Sequence, residues 1–599
     1  MSDRVEFECN AVVVTVASGQ SLLSALREEL GLTSVKDGCA PQGQCGCCTV
    51  LVDGRPRVAC VTPVARVAGR AVTTVEGLDE AVRGDLADAF CATGGSQCGF
   101  CTPGIIMRSV PLVAAASGGS VPRAKLDRAL AAHLCRCTGW QTIGEAVDRA
   151  AQGGSAAADR PGSAEPPERD LQAAARRAEL EGGVPQRVDA DIPLGAGVFA
   201  DDTSPRDAGI LVAVPAPPDF AGDTVEAVGR EWVTGPTLAD ARRATDKTQG
   251  RATTLEPTPP LAAPVSPDGG VALATCFVEP AYLEPDASRC VPGGEPATSL
   301  GNGGAFGGKV ESLAPMAARE LADATGSTVR VVYTREDTVR LGPKRPPVSA
   351  TARFDGSEIL ILGTACVTGA STVETIIESL RSAAASVPYD VAVNADWSRS
   401  VVPGPPVSAS IRATGLAETA VLVEGALDAA GADRRSLVSD DRVGSALLDT
   451  VVAGPLEGDG QAALAGASVE IADAGRSIER VRIRVAAGDP LDETVLRSYC
   501  IGAAHMALGW VLSEGLAVDP DTGEIHNLTI RSFGVLRARS MPPVDVEILD
   551  DPGQPLPAAS DAVLAAVAGA AWNAVTRAEG FRPDAFPARD TALARAIRR

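Results

Sequence analysis

The chain has 599 residues, enough for several domains at roughly 100–200 residues each. Its 22% charged and 45% apolar residues are the balance of a globular protein, and with only 3% aromatics the core has to rest on Ala, Val and Leu. A net charge of −22 argues against a nucleic-acid or anionic-membrane partner, because such surfaces need clustered Lys and Arg. No apolar run approaches the ~20 residues that span a bilayer. The opening MSDRVEFECN has no apolar signal segment, which makes the cytoplasm the expected compartment.

In chain order, residues 4–9 and 11–16 read as two strands. Gln20–Leu30 places Leu22, Leu23, Leu26 and Leu30 at helical spacing, with Gly31 as a stop. A cysteine-rich loop follows, and then TVLVDGRPRVAC, whose Asp53-Gly54 pair predicts a hairpin turn. Two strands, a helix, a ligand loop and a hairpin suit a β-grasp ferredoxin domain over 1–78. Helical patterns near 80–92, 103–117, 124–134 and 142–151 predict a four-helix domain over 79–151. Residues 152–185 open with QGGSAAADRPGSAEPPERDLQ, rich in Gly, Ala, Ser, Pro and charge, and read as a linker. A mixed α/β region fills 186–599. The fold class expected is thus multidomain α+β.

Eleven of the fifteen cysteines precede residue 138, and only Cys276, Cys290, Cys366 and Cys500 follow. Dense cysteines in a cytosolic chain suggest metal ligation, and three histidines in the whole sequence leave thiolates to do it. The first group, DGCAPQGQCGCC…VAC, offers Cys39, Cys45, Cys48 and Cys60 to one [2Fe–2S] cluster. Its first gap is one residue longer than the plant-type C-x₄-C-x₂-C spacing, and Cys47 is a spare thiol that a ligand swap would use. The second group, QCGFCTPG and LCRCTGW, offers Cys98, Cys101, Cys135 and Cys137 to another. Four thiolates also suit tetrahedral zinc, so the residue types alone leave that alternative open.

Further on, LGNGGAFGGK (300–309) is a glycine-rich loop whose backbone amides can approach an anionic ligand closely. It is not a Walker A loop, because Lys309 lacks the Ser or Thr that would follow.

The two cysteine motifs in this order resemble the iron–sulfur part of the xanthine dehydrogenase/aldehyde oxidase family of molybdenum hydroxylases. Gln97 to Gly104 and Leu134 to Gly139 match its helical-domain motif, with Trp140 in place of a Tyr. The resemblance implies two [2Fe–2S] clusters, a molybdopterin cofactor and a pterin contact at Gln97, with Cys137 near the pterin. Gly303, Gly304, Phe306 and Gly307 match the loop whose backbone meets the molybdenum group in that family. EPAYLEPDA (279–287) and TREDTVRLGPKRPP (334–347) are looser likenesses, and SIRATGLAE (410–418) places Arg412 near a substrate pocket.

Two departures qualify the activity. The family's general-base Glu is replaced in DDPGQPLPAASDAV by Gln554, which cannot accept a proton, with Asp551 and Asp561 flanking the stretch. The molybdenum region is also short, and no FAD domain is recognisable. The function expected is hydroxylation of an aldehyde or N-heterocycle with water-derived oxygen, with electrons leaving through both clusters. The alternative is an electron-transfer subunit whose C-terminal region is a non-catalytic partner-binding domain. The expected partners are a small-molecule substrate and an external electron acceptor such as a flavin subunit. A homodimer is the candidate assembly, and neither nucleic acid nor membrane is expected as a ligand.

Overall fold

A computed structural model describes residues 4–153, 169–207, 209–245, 253–369, 371–440, 442–444, 449–455, 461–472 and 475–598. The N-terminal sheet has strands β1 (Arg4–Cys9), β2 (Val12–Ala17), β3 (Thr49–Val52), β4 (Arg55–Val58) and β5 (Ala71–Thr73), in the order β2-β1-β5-β3-β4. In β1 the side chains alternate, with Val5, Phe7 and Cys9 turned into the core. The β3–β4 turn holds Asp53 and Gly54 both at positive φ, the geometry that matches the twist of the flanking strands.

The helix expected over Gln20–Leu30 starts at α1 (Leu22–Ser24), capped by Ser21, and widens into a π-helical turn, Ala25–Glu29. Arg27 on that turn is buried and donates to the carbonyls of Thr33 and Val35 at 3.2 and 2.9 Å. It also pairs with Asp201 and Asp202.

The second domain is built from α2 (Glu80–Thr93), α3 (Thr102–Ala116), α4 (Arg123–Ala129) and α5 (Gln141–Ala151). Asp79 caps α2 by accepting from Ala81 N and Val82 N, and Gly94 ends it in the left-handed region. Pro103 stands in the first turn of α3, two residues after Cys101, where its missing N–H costs no helix bond. A 3-10 turn, Leu130–Ala132, carries α4 into the second cysteine motif.

The span 152–185 is not linker throughout. Residues 154–168 lie outside the described ones, but α6 (Leu171–Gly182) is a helix capped by Asp170, with Ala174 and Ala178 buried against the large region. Ala-rich helix formers in LQAAARRAEL outweigh the polar composition that suggested a linker.

Among the described residues the C-terminal region holds three further sheets. One joins strands from Leu211 to Val332, the next strands from Gly270 to Phe586, and the last strands from Thr450 to Ile548. At the centre, helix Ala559–Glu579 packs against both Leu416–Ala429 and Glu493–Leu512. Small residues permit this: Gly425 sits against the Trp572 ring and Gly569 against Glu424. Helix Glu493–Leu512 is apolar and long enough to cross a membrane, but 94% of that apolar window is buried inside the protein.

The helical domain is fastened to this core at its second cysteine motif. Arg136, between Cys135 and Cys137, donates two bonds to Glu514 at 2.6 and 2.7 Å and a third to the Pro280 carbonyl. Both side chains are buried. Trp140 Nε1 donates to the Leu536 carbonyl, and Gly502 of the long helix leaves room for the Cys137 carbonyl.

Two predictions follow from these contacts. Glu514→Gln strands a buried guanidinium and is expected to lower unfolding free energy by about 3–5 kcal/mol, read from denaturant titration. The second concerns His505, whose buried Nε2 faces the Leu536 carbonyl at 2.9 Å, so the neutral ring is the donor there. Burial, and secondly Arg136, push its pKa down to about 3. The unfolded chain therefore binds a proton near pH 6.5 that the folded chain refuses, and stability is lost progressively as pH falls from 6.5 toward 3. The melting temperature should drop less steeply over that range in His505→Gln.

Candidate functional site

The eight expected cluster cysteines fall into two buried groups. In the first, the Cys39 sulfur accepts from Gln44 N and Cys45 N, both at 3.3 Å, and Cys48 Sγ accepts from Cys60 N at 3.4 Å. Cys45 and then Cys60 donate to Cys39 and hold its thiol well below its ordinary pKa. Cys60, which faces Cys39 and Cys48, is pushed far up by the same contacts and by burial. Cys47 lies beside Cys45, its Sγ 3.9 Å from the Cys45 carbonyl.

In the second group, Cys98 and Cys137 are 3.5 Å apart sulfur to sulfur, and Cys101 is in side-chain contact with Cys135. The Thr138 hydroxyl lies 3.1 Å from Cys135 Sγ. Cys101 is pushed up by that contact and then by burial.

Crowded, buried thiols share protons unequally, because four negative sulfurs repel unless a positive core binds them. Each group supplies four sulfurs in mutual contact, with backbone N–H groups aimed at them, a ligand set that fits a [2Fe–2S] core with two thiolates per iron.

Loop 300–309 stands between the second group and a cavity of about 380 Å³. Gly303, Gly304 and Gly307 have φ of 80°, 78° and 83°. A Cβ on Gly304 would lie 2.7 Å from Cys98 Cβ and 2.8 Å from its Sγ, so only glycine admits this approach. A Cβ on Gly307 would meet the Ser410 carbonyl, which is how the loop packs against segment 410–418. The other side of the loop lines the cavity, together with Gln97, Arg412 and Tyr499.

Gln97 uses both amide hydrogens, donating to the Cys137 carbonyl at 3.1 Å and Ser498 Oγ at 2.9 Å. Toward a ligand it is left with an acceptor oxygen. Arg412 takes its place through the backbone, its N donating to the Phe306 carbonyl at 3.1 Å. Its guanidinium lies over the Phe306 and Tyr499 rings and donates to Asp561 at 2.9 Å. Burial works against that charge, but Asp561, joined by Glu181 and Tyr499, outweighs it and the Arg412 pKa rises. Burial raises the Asp561 carboxyl, while Arg412 opposes the shift.

The cavity thus gathers Gln97, Gly303, Gly304, Phe306, Gly307 and Arg412, but not Gln554. That side chain is exposed on the connection before the last long helix. Leu556, with its N bonded to the Ala487 carbonyl at 2.9 Å, is the buried anchor of the stretch and leaves Gln554 outside. The carboxylates at the cavity are instead Asp561, on the first turn of helix Ala559–Glu579, and Glu181 of α6. Glu181 pairs with Arg177 and accepts from Ser560 N at 2.8 Å. Asp561 stood seven residues beyond the expected position, and Glu181 lay within the span read as linker.

The flanking segments brace the loop from outside. Glu284 pairs with Lys309 at 2.6 Å, Glu279 with Lys344 at 2.9 Å, and Arg345 binds Glu418 through two bonds. Gly304→Ala is expected to displace Cys98. In the purified protein it should broaden or abolish the EPR signal of one [2Fe–2S] cluster after reduction while sparing the other.

Residues 74–148 match the [2Fe-2S] binding domain family. The chain is 40% identical over 150 residues to the nicotine 6-hydroxylase small subunit of Paenarthrobacter nicotinovorans, covering 24% of this chain and 89% of that one. It is 44% identical over 124 residues to the xanthine dehydrogenase iron-sulfur-binding subunit of Escherichia coli O157:H7, covering 20% and 76%. In fold, it superposes on the aldehyde oxidoreductase from Desulfovibrio gigas with a TM-score of 0.76 and 16% identity, over 100% of both chains. With its cysteine-bearing domains ahead of a region of that fold, the chain belongs to the xanthine dehydrogenase/aldehyde oxidase family of molybdenum hydroxylases, as an iron–sulfur oxidoreductase.

Proposed function

We propose that the chain hydroxylates an aldehyde or N-heterocycle with water-derived oxygen and passes the electrons through two [2Fe–2S] clusters to an external acceptor such as a flavin subunit. In this reading Cys39, Cys45, Cys48 and Cys60 hold one cluster, and Cys98, Cys101, Cys135 and Cys137 the other. Residues 1–78 and 79–151 are the two cluster domains, and 186–599 together with α6 form the molybdopterin-type region. The observation that carries the reading is the position of Gly304, whose backbone touches Cys98 while its loop lines the cavity. A redox group held there lies one loop away from the second cluster.

The cavity is large enough for a small organic cofactor, and Gln97, Glu181, Arg412, Tyr499 and Asp561 place polar groups among its apolar and glycine lining. The loop amides at 303–307, Gln97 and Tyr499 are the groups that would hold a pterin. The molybdenum group, when bound, supplies the two-electron oxidation of the substrate carbon. The chain's own residues supply position and proton transfer. Arg412, buried and held charged by Asp561, presents a fixed cation to a developing negative charge on substrate. Asp561 is the proton acceptor in place of the missing Glu. Burial raises its carboxyl above the ordinary Asp value, which makes it a better proton acceptor than an exposed Asp, while Arg412 opposes that shift.

The purified protein should be red-brown, give two [2Fe–2S] EPR signals on reduction, and contain molybdenum and pterin near one per chain. Iron without molybdenum would instead identify an electron-transfer subunit. Asp561→Asn should lower aldehyde turnover by about 10²–10⁴-fold with both EPR signals intact. Gln554→Glu, at an exposed position, should leave turnover unchanged, and a gain there would return the base to that stretch.

A further inference from the structure

The chain is strongly acidic, yet three of its segments are almost free of acid. Residues 54–70, 101–133 and 528–543 together hold eleven Lys and Arg and a single acidic residue, Asp127. They are distant in sequence but adjacent in the fold. Strand β4 touches α3, α3 touches α4, and the 3-10 turn Ala538–Ser540 touches both α4 and the turn Leu130–Ala132.

These segments surround the loop of the first cysteine group. Arg531 Nε donates to the carbonyl of Gln44, the residue before Cys45, at 3.1 Å, and its Nη2 donates to the Ala131 carbonyl. His133 is seated directly beneath Gly46. Val61, next to Cys60, is 53% exposed and in contact with Gly43.

Arg70 and Arg123 pair with Asp53 and Asp127. The other nine basic residues form no ion pair among the described residues. They act on one another: burial and then Arg57 depress the Arg108 pKa, and burial followed by Arg531 and Arg539 depresses that of Arg537. Like charges held close without counter-charges cost stability, so a complementary anionic surface relieves them on contact. Arg57, Arg128 and Arg539 are all exposed.

We propose that this basic face around the first cluster docks an acidic one-electron carrier protein, which is the route by which electrons leave. Permanent subunit interfaces are more apolar, whereas weak redox encounters are small and steered by charge. Among the described residues of the three segments, Val61 is the single large apolar side chain standing exposed, which fits a dissociating carrier better than a fixed subunit. The electron source rests on the proposed hydroxylation. Hydroxylation of one substrate with an oxygen atom from water releases two electrons and two protons, and the oxidised carriers are the oxidant. The protons go to solvent, and the electrons leave singly, so two oxidised carriers are each reduced once per turnover.

The test uses the cluster-loaded full chain reduced with dithionite, so that it does not depend on substrate or molybdenum. An acidic flavodoxin and an acidic [2Fe–2S] ferredoxin are the probes, with binding measured by calorimetry and carrier reduction by stopped flow. Binding should weaken by about tenfold or more between about 50 and 300 mM salt. The triple variant Arg57→Glu, Arg128→Glu, Arg539→Glu should weaken binding to a similar degree. The corresponding triple Lys variant should restore it, with both EPR signals and reduction of a small uncharged dye unchanged. Salt-independent binding, or binding unaltered in the Glu variant, would overturn the proposal. So would tight capture of duplex DNA or heparin with no affinity for either carrier.

Discussion

The bidentate bond between Arg136 and Glu514 is the contact on which the arrangement of redox groups depends. Arg136 is flanked by two of the proposed cluster ligands, so whatever fixes its guanidinium also fixes Cys135 and Cys137. Glu514 follows directly on the end of the most buried long helix. Taking both charges out of water is costly, and the two parallel bonds plus the Pro280 carbonyl offset that cost only when the geometry is kept. A buried pair of this kind is a weak source of net stability, but a strong one of register. It defines how the helical domain sits on the cavity-bearing region, and the approach of Gly304 to Cys98, too close for any added Cβ, depends on that register.

A second network does the same for the ferredoxin-like domain. Arg27 and Lys36 reach Asp201 and Asp202, and Arg330 joins Asp201 to Glu28. Carboxylates and guanidiniums alternate, and Asp201 is held well below the ordinary carboxylate range even though burial works the other way. Both domains are thus tied down by charge pairs buried at their contacts with the large region. That fastening sets the rigid inner end of the path, where a cofactor and a cluster must be held at fixed distance, apart from the outer end, where a partner must come and go.

Much of this was legible in the sequence because the chemistry is local there. Cysteine spacing, glycines that admit a close backbone approach and an Asp-Gly hairpin each act within a few residues, and the structure keeps each where the pattern put it. What was hidden depends on distant partners. Gln554 looked catalytic from its neighbours, but Leu556 anchors its stretch to Ala487 and turns the amide to solvent. Glu181 sits in a run whose helix is covered by residues more than 300 positions away, such as Val495 and Tyr499. The basic face was hidden most completely, since the net charge of −22 averages over the chain while β4, α3 and the turn at 538–540 come together only in the fold.

That contrast between average and local charge bears on how the outer end works. An acidic carrier approaching this molecule meets repulsion over most of the surface and attraction where the Arg side chains crowd the first cysteine loop. The long-range field thus rejects wrong orientations and the local field selects the right one, so the −22 serves specificity as much as the patch does. Because the attraction rests on exposed guanidiniums screened by salt, it raises the rate of encounter more than the lifetime of the complex. A site that reduces two carriers per substrate needs that balance, since the first carrier has to leave before the second can be reduced.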